Sequence, residues 1–237
     1  MGHHQMKIKH LILIILFIIT TVTSVHADDL IYGLDALAHK SYRKAFEKLK
    51  SPAEQGHEHA QFLIASMYQL GTGTFQNDDE SFKWYRRSAE QGHDKSQFRV
   101  GLAYLNGKGI VKDDKEAVKW IRMAAEQNHQ DAQVLLGSAY EDGIGVAQDY
   151  KEAIKWYQRS AEQGSAKAQM KFALMYSKGK GVIQDYVQAY MWANLAASNG
   201  IKDASKLRDI FEKKMTPTQI SEAQKLEGEW LKKHWNK

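Results

Sequence analysis

Three histidines that could ligate a metal ion recur at a fixed spacing in this chain. His57, His93 and His129 lie 36 residues apart, each at the same position of a repeated segment. A shared ion would need imidazole nitrogens about 2 Å away, whereas helices of neighbouring repeats stack about 8–10 Å apart. We therefore interpret these histidines as residues at helix starts and predict no metal site.

Carboxylates that could serve as general acids or bases recur with the same spacing, at Glu80, Glu116 and Glu152. A catalytic pair of acids is normally placed once in a chain rather than in every repeat. Each of these glutamates also follows an Asn or Asp by three residues, which is the spacing of a reciprocal helix cap. The sequence therefore predicts that these acids cap helices and do not catalyse a reaction.

Other patterns of residues that could support catalysis are also weak. Paired glycines such as Gly143 and Gly145 resemble a phosphate-binding loop, but no strand precedes them and no Gly-Lys-Ser/Thr follows. We predict instead that they end helices in left-handed backbone. The chain has no cysteine, which excludes a thiol nucleophile and disulfides, and it has no Gly-x-Ser-x-Gly elbow. We therefore predict no catalytic residues and no cofactor.

All these residues lie on a repeat of 36 residues that opens as Ala-Glu-Gln at Ala53, Ala89, Ala125 and Ala161. A period of this length is typical of stacked arrays, in which each unit buries its apolar face against its neighbours. Two helices are predicted in each unit. The first carries a buried stripe at i, i+4 and i+8, which comprises Ala60, Ile64, Tyr68; Ser96, Val100, Tyr104; Ala132, Leu136, Tyr140; and Ala168, Phe172, Tyr176.

Two further sets of residues recur in register with the repeat. Small residues at Ala65, Gly101, Gly137 and Ala173 predict close approach of a neighbouring helix. The second helices carry the tryptophans Trp84, Trp120, Trp156 and Trp192. We interpret these as wide core side chains, each of which needs a hydrogen-bond partner for its indole N–H. A ladder of rings for ligand stacking is the alternative interpretation.

The repeat carries the pattern Ala-x3-Leu-Gly-x2-Tyr-x2-Gly-x-Gly-Val-x-x-Asp-x-x-x-Ala-x-x-Trp, which the unit from Ala132 to Ala161 follows almost position by position. This pattern resembles the Sel1-like repeat, a relative of the tetratricopeptide repeat, over about residues 30–235. The other units depart from it at Phe75, Ser81 and Ile110. The resemblance implies an all-α fold, a right-handed α/α solenoid of helix-turn-helix repeats, and an adaptor that binds a protein or peptide partner.

The resemblance also leaves two other functions open. Some cysteine-rich members of the family bind or cleave β-lactams, which suggests a cell-envelope or peptidoglycan-related hydrolase. This chain lacks the cysteines that form their disulfides. A purely structural assembly subunit is the other alternative.

The chain ends set the predicted compartment and boundaries. Lys7 and Lys9 precede an apolar run from Leu11 to Thr20, and small residues follow up to Ala27. We predict a signal peptide with an N-terminal extension over 1–27, cleaved after Ala27, and hence a periplasmic or secreted protein without a stable membrane anchor. Beyond it we predict an N-terminal helix pair over 28–56, four repeats over 57–200 and capping C-terminal helices over 201–237.

Net charge argues against nucleic acid as a partner. The formal charge of +5 falls to about +3 when the predicted signal peptide is removed, which is mild for a protein that binds nucleic acid. Acidic and basic residues are also mixed along the helices, as on solvated faces.

The side of the first helices opposite the buried stripe is the predicted partner site. Its apolar residues, flanked by two basic ones, are typical of an interface with a charged rim. We call this set the first-helix row, and it comprises Phe62, Phe98, Arg99, Leu102, Val134, Ser138, Met170, Lys171 and Leu174. In a superhelix the row would line the concave face, and packing against the next helix is the alternative interpretation.

Overall fold

The computed structural model describes residues 28–235, and all regular structure within that range is helical. The predicted signal peptide, 1–27, lies outside the described residues. The prediction of an all-α fold of consecutively packed helices is confirmed for the part that the structure describes. The twelve helices of this part are α1 (28–38), α2 (Tyr42–Glu54), α3 (Glu58–Leu70), α4 (Asp78–Glu90), α5 (Asp94–Asn106), α6 (Asp114–Glu126), α7 (Gln130–Asp142), α8 (Tyr150–Glu162), α9 (Ala166–Lys178), α10 (Tyr186–Ser198), α11 (Lys202–Glu212) and α12 (Pro217–Trp235).

The helices form two compact units. Unit 1 holds the described residues up to Ala103 together with Gly107–Val111, and unit 2 holds Tyr104–Asn106 and the described residues from Lys112 onward. In unit 1, α3 packs against both α2 and α4. In unit 2, each helix from α6 to α9 packs on the next, and α10 also packs on α11 and α12. Contacts between consecutive helices are the packing expected of a repeat array. Within residues 28–235, every helix is too short or too polar to span a membrane.

The first helix of each repeat begins at a side-chain cap, as predicted for the three histidines. His57, His93 and His129 accept the backbone N–H of the third residue onward through Nδ1, at 3.5, 3.2 and 3.2 Å. In the fourth repeat the Ser165 hydroxyl takes this position, at 3.4 Å. An imidazole Nδ1 can accept only when it carries no proton. Three of the four helix starts therefore depend on a neutral histidine.

The predicted stripe of the first helices forms part of their buried face. Its first two members are buried in every repeat, whereas the tyrosines at the third position are half-buried. The small residue beside the stripe allows the close approach that the sequence predicts. At Gly137 an added Cβ would lie 2.7 Å from ring carbons of Tyr157, which is fully buried. Glycine at this position therefore lets α8 place a tyrosine against the backbone of α7.

At the start of each second helix only the first half of the predicted reciprocal cap forms. The Asn or Asp side chain caps the helix, but the acid or amide three residues later does not bond back, so this prediction is wrong. Asp149 accepts the backbone N–H groups two and three residues onward, at 2.9 and 3.1 Å. Its own N–H already donates to the Tyr140 carbonyl at 2.9 Å, so the Glu152 carboxylate does not reach back and pairs with Lys155 instead. Caps of the same kind occur at Asn77, Asp113 and Asp185.

The tryptophans of the second helices lie largely in the core. Trp84, Trp156 and Trp192 are buried, and Trp120 is half-buried. The expectation that every indole N–H finds a partner is wrong for Trp156, whose buried Nε1 has none among residues 28–235. Its ring is instead covered by the Arg159 guanidinium, 4.8 Å from the ring centroid. Packing and a cation–π contact, without a hydrogen bond, hold this side chain.

Candidate functional site

The first-helix row is accessible over its whole length. Its members are half-buried, except Arg99, which is exposed. Because the chain forms two units, the row is divided between them. Unit 1 carries Phe62, Phe98, Arg99 and Leu102, and unit 2 carries Val134, Ser138, Met170, Lys171 and Leu174.

In unit 1, aromatic contacts hold the start of the row in place. The Phe62 ring lies 5.6 Å from that of Tyr85 and 5.0 Å from that of His93, measured between centroids. The Tyr85 hydroxyl donates to Gln69 Oε1 at 3.0 Å and lies 2.8 Å from Ser66 Oγ. Phe62 therefore presents a partly covered ring above a hydrogen-bonded tyrosine.

In unit 2, two members of the row, Ser138 and Lys171, belong to a charged group that the sequence did not predict. The buried Tyr157 hydroxyl donates to Glu141 Oε2 at 2.8 Å and lies 3.0 Å from Ser138 Oγ. Lys171 Nζ and Lys180 Nζ lie 3.3 and 3.9 Å from oxygens of the same carboxylate. We call these five residues the Tyr157 network. Two cations and a phenol thus converge on one carboxylate at the surface of the row.

The protonation states within the Tyr157 network follow from burial and charge. Burial raises the pKa of the Tyr157 hydroxyl, so it stays protonated and donates. Burial by itself raises the pKa of Glu141 too, but the hydrogen bond from Tyr157 and the charge of Lys171 outweigh it. The pKa of Glu141 therefore lies below its ordinary value, and the carboxylate is ionised at neutral pH.

The sequence did contain a signal for these hydroxyl contacts. Repeats one and three have Ser66 and Ser138 at one position of the first helix, with Tyr85 and Tyr157 at the matching position of the second helix. Repeats two and four have leucine in the row and an apolar residue in place of the tyrosine. A buried phenol needs a polar neighbour. Serine rather than leucine at this first-helix position therefore indicates the repeats in which a tyrosine is buried on the second helix.

The histidine cluster of unit 1 is closer than the predicted stacking distance. The rings of His59 and His93 lie 4.9 Å apart, and those of His57 and His59 lie 6.1 Å apart. The predicted distance refers to the capping histidines, and His59 lies between two of them, His57 and His93. No group of three His, Asp or Glu residues with metal-binding geometry occurs among residues 28–235.

One serine lies within hydrogen-bond distance of a histidine, but it cannot meet a substrate. Ser96 Oγ lies 2.8 Å from His93 Nδ1 and donates to Ser88 Oγ at 2.7 Å. Ser96 is 0% exposed, and the same Nδ1 caps α5. A nucleophile needs an accessible hydroxyl and a base with a free lone pair. This contact therefore serves the helix start.

The pH dependence of stability should reveal the His93 cap. Burial and the neighbouring His59 lower the pKa of His93, against the opposing charges of Glu58 and Asp94, while Lys95 lowers it further. A lowered folded pKa means that full stability is present above the unfolded pKa, about 6.5, and is lost as pH falls towards the folded value. We expect His93→Ser, which copies Ser165, to remove this loss, worth at most about 1.4 kcal/mol per pH unit.

Urea unfolding of both proteins between pH 7.5 and pH 5 checks this expectation. His39→Ser is the control, because the exposed His39 ring, just after α1, is paired with the carbonyl and carboxylate of Asp35 on that helix. Equal pH slopes for the wild type and His93→Ser, with the control unchanged, would contradict the cap.

Comparison with known proteins identifies the repeat. The sequence profile of the Sel1 repeat matches four consecutive segments, 58–93, 94–129, 130–165 and 166–201. The crystal structure of a Sel1 repeat protein from Oxalobacter formigenes is 38% identical, with a TM-score of 0.72, over 76% of this chain and 74% of that one. The comparison with curated protein sequences gave no significant match.

A second solved structure is similar over only part of its length. It is c5321, a protective antigen present in uropathogenic Escherichia coli strains and displaying an SLR fold. It is 35% identical with a TM-score of 0.74, over 81% of this chain but 41% of that protein. Proteins built from Sel1 repeats are generally protein-interaction scaffolds. With four matched repeats and helices packed consecutively within each unit, the chain belongs to the Sel1 repeat family.

Proposed function

We propose that this protein is an exported interaction scaffold that binds a peptide or protein partner along the first-helix row. The observation that carries the proposal is the half-buried apolar side chains of the row, which occur in both units. Such side chains still have apolar surface that a partner could bury, and they are too exposed to belong to the core. Arg99 in unit 1 and Lys171 in unit 2 supply polar contacts at its border.

Export is part of the same proposal. Its support is the order of residues over 1–27, where two lysines precede an apolar run that ends in small residues. In this proposal residues 1–27 direct export, and the repeats of 57–200 with the helices on either side form the scaffold. The binding role follows the general behaviour of the family, in which scaffolds without catalytic activity are typical.

Either of two substitutions in the row should weaken capture of the partner strongly without unfolding the protein. Leu102 and Leu174 occupy the same repeat position, one in each unit, and both are half-buried. We expect Leu102→Glu and Leu174→Glu to place a charge in a dehydrated interface and so to weaken binding by about tenfold or more. Affinity capture from a cell-envelope extract, compared by mass spectrometry with the wild type, measures the effect.

Matched controls come from the loops between the helices. Val111 and Ile183 are 84% and 90% exposed, so Val111→Glu and Ile183→Glu make the same chemical change away from the row. Proteins captured by the wild type and both controls, but lost with both row variants, would support the proposal. If the row variants melt far below the wild type, these leucines are packing residues. If they still bind while a loop variant fails, the loops carry the site.

A further inference from the structure

A cleft of about 290 Å³ lies at the C-terminal part of unit 2, away from the first-helix row. It forms where the last repeats meet α12, a helix outside the repeat pattern. Its volume is near the lower end of the range for small-ligand sites. The residues that line it are Glu162, Gln163, Gly164, Asn199, Trp230 and His234.

The charges around the cleft are those of a cation site. Glu162 is the acidic residue that lines it, and no lysine or arginine of the described part of the chain is among its lining residues. Glu162 ends α8, and Asn199 is the C-cap of α10. Carbonyl groups at helix C-termini carry partial negative charge, which adds to that of the carboxylate.

Nearby basic residues do not occupy this position. The Arg159 guanidinium, one turn before Glu162, lies over the Trp156 ring. Lys232 and Lys233 on α12 are exposed and outside the lining. The Glu162 carboxylate accepts a hydrogen bond from the neutral Gln158 amide at 2.9 Å, which leaves its charge to attract a cation from solvent.

The aromatic wall of the cleft is held rigidly. The Trp230 ring stacks on His234 with centroids 4.4 Å apart and an angle of 17°, and its edge packs on Trp192 at 5.6 Å. His234 Nδ1 lies 2.9 Å from the Trp230 carbonyl, so Nδ1 donates to that carbonyl, and Nε2 of a neutral ring would accept a hydrogen bond. An indole beside a carboxylate and further acceptors suits a cation with several N–H donors.

We propose that this cleft binds the side chain of a lysine or arginine presented by a partner peptide. Glu162 would accept hydrogen bonds from the ammonium or guanidinium group, and Trp230 would cover the aliphatic stem. Asn199 contributes its side-chain oxygen, because its nitrogen already donates to Gln169 Oε1 at 3.0 Å. The proposal is independent of the first-helix row, because it rests on other residues.

The test uses the full chain and single amino-acid probes. Amide and indole NMR shifts are recorded during titration with the acetylated amides of lysine, arginine, norleucine and citrulline. We expect saturable shifts at Trp230 and Gly164 with lysine or arginine, in the millimolar range, and none with the two uncharged probes. The lysine and arginine arms distinguish an ammonium from a guanidinium ligand.

Substitution of the carboxylate then identifies its role. We expect Glu162→Gln to weaken binding of the charged probe by about tenfold. The matched control is Glu126→Gln, because Glu126 occupies the same repeat position at the end of α6 and is also exposed. Because Glu162 is exposed, its replacement should leave the amide spectrum of the core unchanged.

Several results would overturn the proposal. These are equal shifts with charged and uncharged probes, unchanged affinity in a folded Glu162→Gln variant, or no shift at either residue up to about 50 mM probe. Stronger binding of N-acetylglucosamine than of lysine or arginine at the same residues would assign the cleft to a saccharide and would also sink it.

Discussion

Replacing Gly145 with alanine should destabilise unit 2 by more than about 4 kcal/mol, a loss large enough to need a specific structural cause. Gly145 is the second glycine of the loop between α7 and α8, and its φ is +69°. A Cβ there would lie 2.1 Å from the backbone oxygen and 2.6 Å from the carbonyl carbon of Asp114, at the start of α6. The loop must move away or α6 must lose its first turn.

Gly164→Ala is the matched control for this substitution. Gly164 also has a left-handed backbone, with φ +88°, but a Cβ there would meet no described residue other than its chain neighbours within 4 Å. Its replacement should cost only the conformational strain of a left-handed alanine, about 1–2 kcal/mol. The difference between the two variants therefore measures the close contact of the loop with α6.

Urea unfolding followed by circular dichroism gives both free energies. Similar losses for Gly145→Ala and Gly164→Ala would mean that the loop relaxes easily and that glycine is needed there for its φ alone. The contact is a repeated feature, because a Cβ at Gly109 would similarly lie 2.1 Å from the Asp78 carbonyl oxygen in unit 1.

The repeat made most of the helical fold predictable. Its spacing located the histidine caps, the buried stripes and the two helices of each repeat, because every repeat packs the same residue positions against its neighbours. Left-handed backbone after the second helix was also predictable, even at Asn128, whose φ is +66°. Asparagine is the usual replacement for glycine at such positions.

Features that depend on contacts between elements were not predictable in the same way. The reciprocal cap failed at Glu152 because the N–H of Asp149 is bonded to Tyr140 on the preceding helix. The Tyr157 network joins α7, α8, α9 and a loop residue, Lys180, and no local spacing shows that four segments meet. The cleft likewise combines repeat residues with Trp230 and His234 from a helix outside the repeat.

Replacing Trp156 with alanine should cost about 3–5 kcal/mol, as for other large aromatic residues removed from a core. Trp156 is 7% exposed, and its indole nitrogen has no hydrogen-bond partner in the part of the chain that the structure describes. The loss should therefore come from packing and from the cation–π contact with Arg159, 4.8 Å from the ring centroid. Trp156→Phe should recover much of the stability, because it restores an aromatic ring without the unpaired N–H.

Arg159→Ala separates the two contributions. It leaves the indole in place and removes the cation, so we expect a loss of only about 0.5–1 kcal/mol. Unfolding free energies of the three variants in urea show whether Trp156 is a core packing residue or a ring that is available at the surface. A loss below about 1 kcal/mol for Trp156→Ala would mean that neighbouring side chains do not depend on the indole. The tryptophans of the repeat would then be better interpreted as rings available to a ligand.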